Sequence, residues 1–93
     1  MKTFKKFLSE SEPLDNAITD EQILRASIIA EQDATNLYLR FADKTKNKKL
    51  EKLLRDVALE EKVHVHEFQV MLEELDKQEK EARDKAEKEA EDL

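Results

Sequence analysis

Glycine and cysteine are absent from this 93-residue chain, and proline occurs once, at Pro13. Without cysteine there is no disulfide framework, no thiolate metal site and no cysteine nucleophile. Without glycine, and with a single proline, tight turns are few, which argues against a sheet of several strands. Long apolar runs are missing too, so no segment can span a membrane. Residues Met1 to Leu8 carry Lys2, Lys5 and Lys6 but lack the apolar stretch of a signal peptide, which leads us to expect a cytoplasmic protein. A concentrated basic patch is also lacking, and the net charge of -6 argues against nucleic acid as a partner. What the chain has in plenty is charge of both signs, 43% of residues, interleaved as on solvated helix faces. Its length allows one small domain with too little core to be comfortably stable alone.

The expected architecture is all-α. Residues 1–17 read as an N-terminal arm with Pro13 and at most a short turn around Phe4, Phe7 and Leu8. A helix start follows, with Thr19 as cap, Gln22 three residues on to complete a capping box, and Ile18 placed to staple onto Ile23. The helical pattern runs to about Ala42. Residues 43–49 hold no large apolar side chain and form a connection, with Thr45 or Asn47 available to cap the next helix. That second helix runs from about Lys48 to at least Leu75. A short link between two long helices makes an antiparallel hairpin over residues 18–76. Beyond Asp76 the only apolar residues are Ala82, Ala86, Ala90 and Leu93, so 77–93 reads as a charged tail, helical or disordered, without chemistry of its own.

The chemistry sits where two helical stripes are interrupted. In the second helix the stripe 50, 54, 57, 61, 64, 68, 71, 75 steps by four and three and is apolar except for Glu61 and His64 at its centre. In the first, the stripe Leu24, Ile28, Glu31, Thr35, Tyr38, Ala42 places Glu31 mid-seam, with Tyr38 two turns later. A carboxylate buried without a partner costs several kcal/mol, so something positive is expected beside these residues. Oxygen and imidazole donors without sulfur suit iron or manganese and accept zinc. Di-metal sites in carboxylate four-helix bundles use two glutamates plus two Glu-x-x-His pairs, a known arrangement, and this chain carries half of that set. A twofold pair of chains would supply the whole. Further apolar residues, with Leu59, Val63, His66 and Val70 forming a side stripe, also imply self-association.

Plainer readings stand beside this one. His64 can be a hydrogen-bonded core histidine with Glu61 as partner, and Glu31 can pair with a Lys or Arg of another subunit. Tyr38 reads either as a packed aromatic or as a hydrogen-bond donor to a ligand. His66 points away from His64 and reads as an interface residue. Asp33, Glu60 and Glu67 read as solvated face, with guiding cations inward as the alternative role.

The segment Ile28-Ile29-Ala30-Glu31-Gln32-Asp33-Ala34-Thr35-Asn36-Leu37-Tyr38, together with Asp56-Val57-Ala58-Leu59-Glu60-Glu61-Lys62-Val63-His64, resembles the encapsulated ferritins, their archaeal branch most closely. These ferritin-like proteins are distant relatives of rubrerythrins, and the resemblance covers about residues 18–75. It implies a two-helix protomer that dimerises into a four-helix bundle, with dimers forming an annular decamer inside an encapsulin shell. It implies a di-iron ferroxidase centre between two subunits, with Glu61 bridging, Glu31 and His64 as terminal ligands, and Tyr38 close by in the catalytic set. Manganese, zinc or calcium are the expected substitutes for iron. Two departures stand out. Ala30 and Ala34 flank Glu31 where the family has an acidic entrance site, leaving Asp33 as the nearest acid. The C-terminal Glu-Ala-Glu-Asp-Leu also lacks the apolar cargo-loading peptide. The expected activity is oxidation of Fe(II) by dioxygen for iron storage or detoxification in an encapsulin nanocompartment. The rivals are a rubrerythrin-like di-iron peroxidase, and a metal-free helical oligomerisation module in which Glu61 and His64 set registry.

Overall fold

A computed structural model of the chain describes residues 18–93. The expected N-terminal arm, residues 1–17, lies outside the described residues. Among the described residues there are three helices, α1 (Asp20–Lys44), α2 (Lys48–Leu75) and α3 (Lys77–Ala90), and no strand.

Helix α1 starts as its sequence dictates. The Gln22 backbone N–H donates to the Thr19 hydroxyl at 3.2 Å, and the Thr19 N–H donates to the Gln22 side chain at 3.0 Å, which completes the capping box. The connection is shorter than expected, only Thr45 to Asn47, because α1 continues through Lys44. Asn47 caps α2 by accepting from the Leu50 N–H at 3.0 Å. So short a link folds α2 back along α1, and the cross-links run in antiparallel order: Arg25 to Asp76 at 2.8 Å, Glu31 to His64 at 3.4 Å, Asp43 to Arg55 at 2.9 Å.

The packed seam of α2 differs from the expected stripe. The residues turned into the hairpin are Glu51, Leu54, Ala58, Glu61, Val65, Phe68 and Leu72, all buried or half-buried. Ala58 and Leu72 are 1% and 2% exposed. On the stripe expected from the sequence, Leu50, His64, Met71 and Leu75 are exposed instead. The two lines share Leu54, Glu61 and Phe68. The reason is size: Ala26, Ala34 and Ala42 of α1 and Ala58 of α2 are buried, and small side chains let two helices approach closely along the line that contains them. The bulkier line beside it stays uncovered within one chain.

The tail is helical. Asp76 ends α2 in an extended conformation (φ -127, ψ 104), and its side chain accepts from the Gln78 N–H at 3.0 Å, capping α3. Two arginines hold the elbow. Arg25 of α1 donates to Asp76 at 2.8 Å and to Glu79 at 3.1 Å, while Arg83 of α3 pairs with Glu73 of α2. The outer surface of α3 is solvated.

Candidate metal centre

Alternating steps of three and four along α2 put Glu61 and His64 one turn apart, and the antiparallel register brings Glu31 of α1 opposite them. One donor atom from each of Glu31, Glu61 and His64 falls in a group whose members lie within 4.8 Å of one another. His64 Nδ1 stands 3.4 Å from a Glu31 oxygen and 3.8 Å from a Glu61 oxygen. Both separations exceed a good hydrogen bond. They are close to the spacing of roughly 3–4 Å between neighbouring ligand atoms each about 2.1 Å from a shared ion. The donor set is hard oxygen plus imidazole nitrogen, which fits iron or manganese and tolerates zinc.

The triangle straddles the border between the hairpin interior and an open face. The Glu61 and Glu31 side chains are 18% and 24% exposed, whereas His64 is 47% exposed. His64 is therefore not a core histidine within the single chain. Leu50, Met71 and Leu75, exposed on the same line of α2, flank the site above and below. Three protein donors would fill only part of an iron coordination sphere, and the group borders this apolar face.

Tyr38 is half-buried, two turns along α1 from Glu31, a rise of about 10 Å that sets it beside the triangle rather than in it. The Thr35 hydroxyl donates to the Glu31 carbonyl at 2.9 Å and so is occupied by the backbone. His66, Glu60 and Glu67 are exposed, and none belongs to the converging group. Asp33 departs from its expectation as solvated face. Its Oδ2 is buried without a hydrogen-bond partner, and Asp33 lies on neither of the two expected stripes. Sequence reasoning also missed the arginine contacts at the elbow. The guanidinium of Arg83 holds the Glu73 carboxyl below its usual range, and Arg55 does the same for Glu51 at the hairpin end. The signal for Arg83 was its place one turn before Glu87 and ten residues after Glu73, legible only once the chain turns at Asp76.

A sequence model of the rubrerythrin family matches residues 22–92. Among curated proteins, a ferritin-like–encapsulin shell fusion protein of Pyrococcus furiosus is 51% identical over 55 residues, covering 59% of this chain. The chain matches only 16% of that relative's length. The crystal structure of the encapsulated ferritin domain from Pyrococcus furiosus superposes with a TM-score of 0.75 at 35% identity, covering 90% of this chain and 94% of that one. No helix among the described residues is long and apolar enough to cross a membrane.

Proposed function

This chain belongs to the rubrerythrin family and to its encapsulated-ferritin branch, and from that premise we propose that it is a ferroxidase, taking Fe(II) as substrate and dioxygen as oxidant. The observation that carries the reading is the meeting of Glu31, Glu61 and His64 at the edge of an uncovered apolar face. A second copy laid on that face about a twofold axis makes a four-helix bundle and doubles the donors to four carboxylates and two imidazoles. In that pairing Glu61, Glu31 and His64 of both subunits would together hold the iron ions, the carboxylates as oxygen donors and the imidazoles as nitrogen donors.

The residues divide the work by chemistry. Carboxylates draw the cation in and favour the ferric product, because the hard trivalent ion gains more from negative oxygen donors than the divalent one does. His64 fixes a neutral nitrogen donor at the open edge, where oxidant must approach. Two Fe(II) ions held there would give up one electron each, and dioxygen, taking both electrons and two protons, would leave as hydrogen peroxide. The half-buried Tyr38 flanks the site and limits water on that side.

Further association has its own support. Leu59, Val63 and Val70 are 61%, 54% and 59% exposed and lie roughly half a turn round α2 from Glu61. One twofold contact cannot cover both faces, so dimers meet through the second and close into a ring. The fused shell domain of the Pyrococcus relative supports work inside an encapsulin shell, with the oxidised iron delivered there.

The test is Fe(II) oxidation under air by wild type and by Glu31→Ala, Glu61→Ala and His64→Ala. Loss of ferric product in all three supports the reading, and equal rates across the set sink it. The rubrerythrin match favours one other reading, reduction of peroxide at the same centre. With no cysteine in the chain, that reaction needs an external reductant. Faster iron turnover with peroxide than with dioxygen would select it. Sizing with and without chelator tests the shared site: metal removal is expected to shift the protein toward monomer.

A further inference from the structure

On the side of the hairpin away from His64, an open hollow of about 410 Å³ lies between α1 and α2. Gln32, Thr35 and Asn36 line it from α1, and Lys62, Val65 and His66 from α2. Two pairs of residues one turn apart, Gln32 with Asn36 and Lys62 with His66, therefore face each other across one groove. Each of the four can donate hydrogen bonds, and no carboxylate lines the hollow. The Thr35 hydroxyl is bonded to the Glu31 carbonyl, and Val65 gives the floor an apolar patch.

Lys62, like Lys44 and Lys49, has no acid three or four residues away in the sequence. Lys48, Lys52, Lys77 and Lys85 each pair with an acid three or four residues on. Lys62 has Ala58, Leu59, Val65 and His66 at those spacings, so its own helix offers it no acid. Among the described residues it makes no ion pair. In a chain of net charge -6, an acid-free cluster of four donors is a local reversal of sign.

We propose that this hollow binds a small tetrahedral oxyanion of the phosphate or sulfate type. The Lys62 ammonium supplies the charge, and the Gln32 and Asn36 amides and the His66 ring supply directed donors. Gln32 and Lys62 directly follow Glu31 and Glu61, so the hollow and the candidate metal centre share both helices, one position apart. The proposal does not depend on the ferroxidase reading, because anion binding is measured on metal-free protein.

The experiment titrates inorganic phosphate into the metal-free full chain at constant ionic strength, with chloride as the control anion, and follows amide and side-chain NMR shifts. The expected result is a saturable change centred on Gln32, Asn36, Lys62 and His66, with sulfate competing at the same residues. Lys62→Gln weakens the binding by about tenfold or more, as loss of a charge-assisted hydrogen bond requires. Lys49→Gln, at an exposed lysine near the hairpin turn, leaves it unchanged. Shifts that fail to saturate, that spread over all lysines, or that survive Lys62→Gln at full affinity overturn the proposal. So does a hollow that takes up neither anion at any protein concentration.

Discussion

Replacing Glu61 with glutamine should stabilise the metal-free protein while abolishing its response to iron. Donor oxygens of Glu31 and Glu61 lie within 4.8 Å. Two unit charges at that separation repel by about 1 kcal/mol in a water-like medium and about 3.5 kcal/mol at an effective dielectric of 20. Both side chains keep a fifth or so of their surface exposed, which places the penalty toward the lower part of that range, about 1–2 kcal/mol. His64 Nδ1 stands 3.4 and 3.8 Å from the two oxygens. Glu61→Gln keeps the shape and removes one charge. With roughly 4–8 °C per kcal/mol for a domain of this size, the variant should melt about 5 °C or more above wild type in chelator. Added Fe(II) under anaerobic conditions, or Mn(II), should raise the wild-type midpoint and leave the variant's unchanged. Thermal melts at fixed protein concentration read both effects, since association shifts the midpoint by mass action. A variant that melts below wild type in chelator refutes the repulsion, and one that keeps the wild-type metal shift refutes Glu61 as a ligand.

Leu72, the large side chain buried to 2% exposure, anchors the hairpin seam, and Leu72→Ala should cost about 2–5 kcal/mol in denaturant unfolding. Leu93→Ala, fully exposed, should change stability by less than about 0.5 kcal/mol. Paired aspartates at Leu59 and Val63 should reduce the assembly to a smaller species by light scattering while iron oxidation persists, because that stripe lies across α2 from Glu61; loss of both together would place the two faces in one interface. Arg83 and Arg55 hold the Glu73 and Glu51 carboxyls below their ordinary 4.5. Folded values below unfolded ones mean the pairing contributes fully above the unfolded pKa and is lost as pH falls through the folded value. Amide exchange in α3 should therefore accelerate as pH falls below about 4.5, beyond the intrinsic pH trend of exchange. Unchanged protection of α3 at pH 3 would show that apolar contact, not the Arg83–Glu73 pair, docks it.

Local signals in the sequence carried the helix ends. Thr19 with Gln22, and Asn47 before Lys48, are capping residues whose partners lie within three positions, so no tertiary knowledge is needed to read them. The convergence of Glu31, Glu61 and His64 was legible for a related reason: a short link makes the register of two antiparallel helices a matter of counting. The hairpin seam was less legible. Ranking positions by bulk favours Leu50, Val57 and Met71 over Ala58, yet a helix pair packs most closely where side chains are smallest, and that moved the seam by about one position toward Ala58, Val65 and Leu72. The elbow at Asp76 was hidden because no glycine or proline marks it. It forms because an aspartate cap and two arginines from separate helices favour a bend there, and those contacts exist only in the folded chain.

The border position of Glu61 explains why one chain cannot settle its own electrostatics. It belongs to the alanine seam, which draws it inward, and to the bulky stripe, whose other members face out. Whatever covers that outer stripe must be apolar at both ends, to match Leu50 and Leu75, and positive in the middle, to match two carboxylates. A foreign helix would have to carry a lysine or arginine at that one point. A second copy about a twofold axis matches the apolar ends by symmetry, but it brings carboxylates to carboxylates at the centre. The mismatch is severe without cations and absent with them, since two divalent ions neutralise four carboxylates. In the proposed twofold pairing, self-association and metal binding would therefore favour each other by the same free energy, as linkage requires. A face built this way selects against both the metal-free pair and the metal-loaded single chain, and that selection follows from charge and shape before any catalysis is considered.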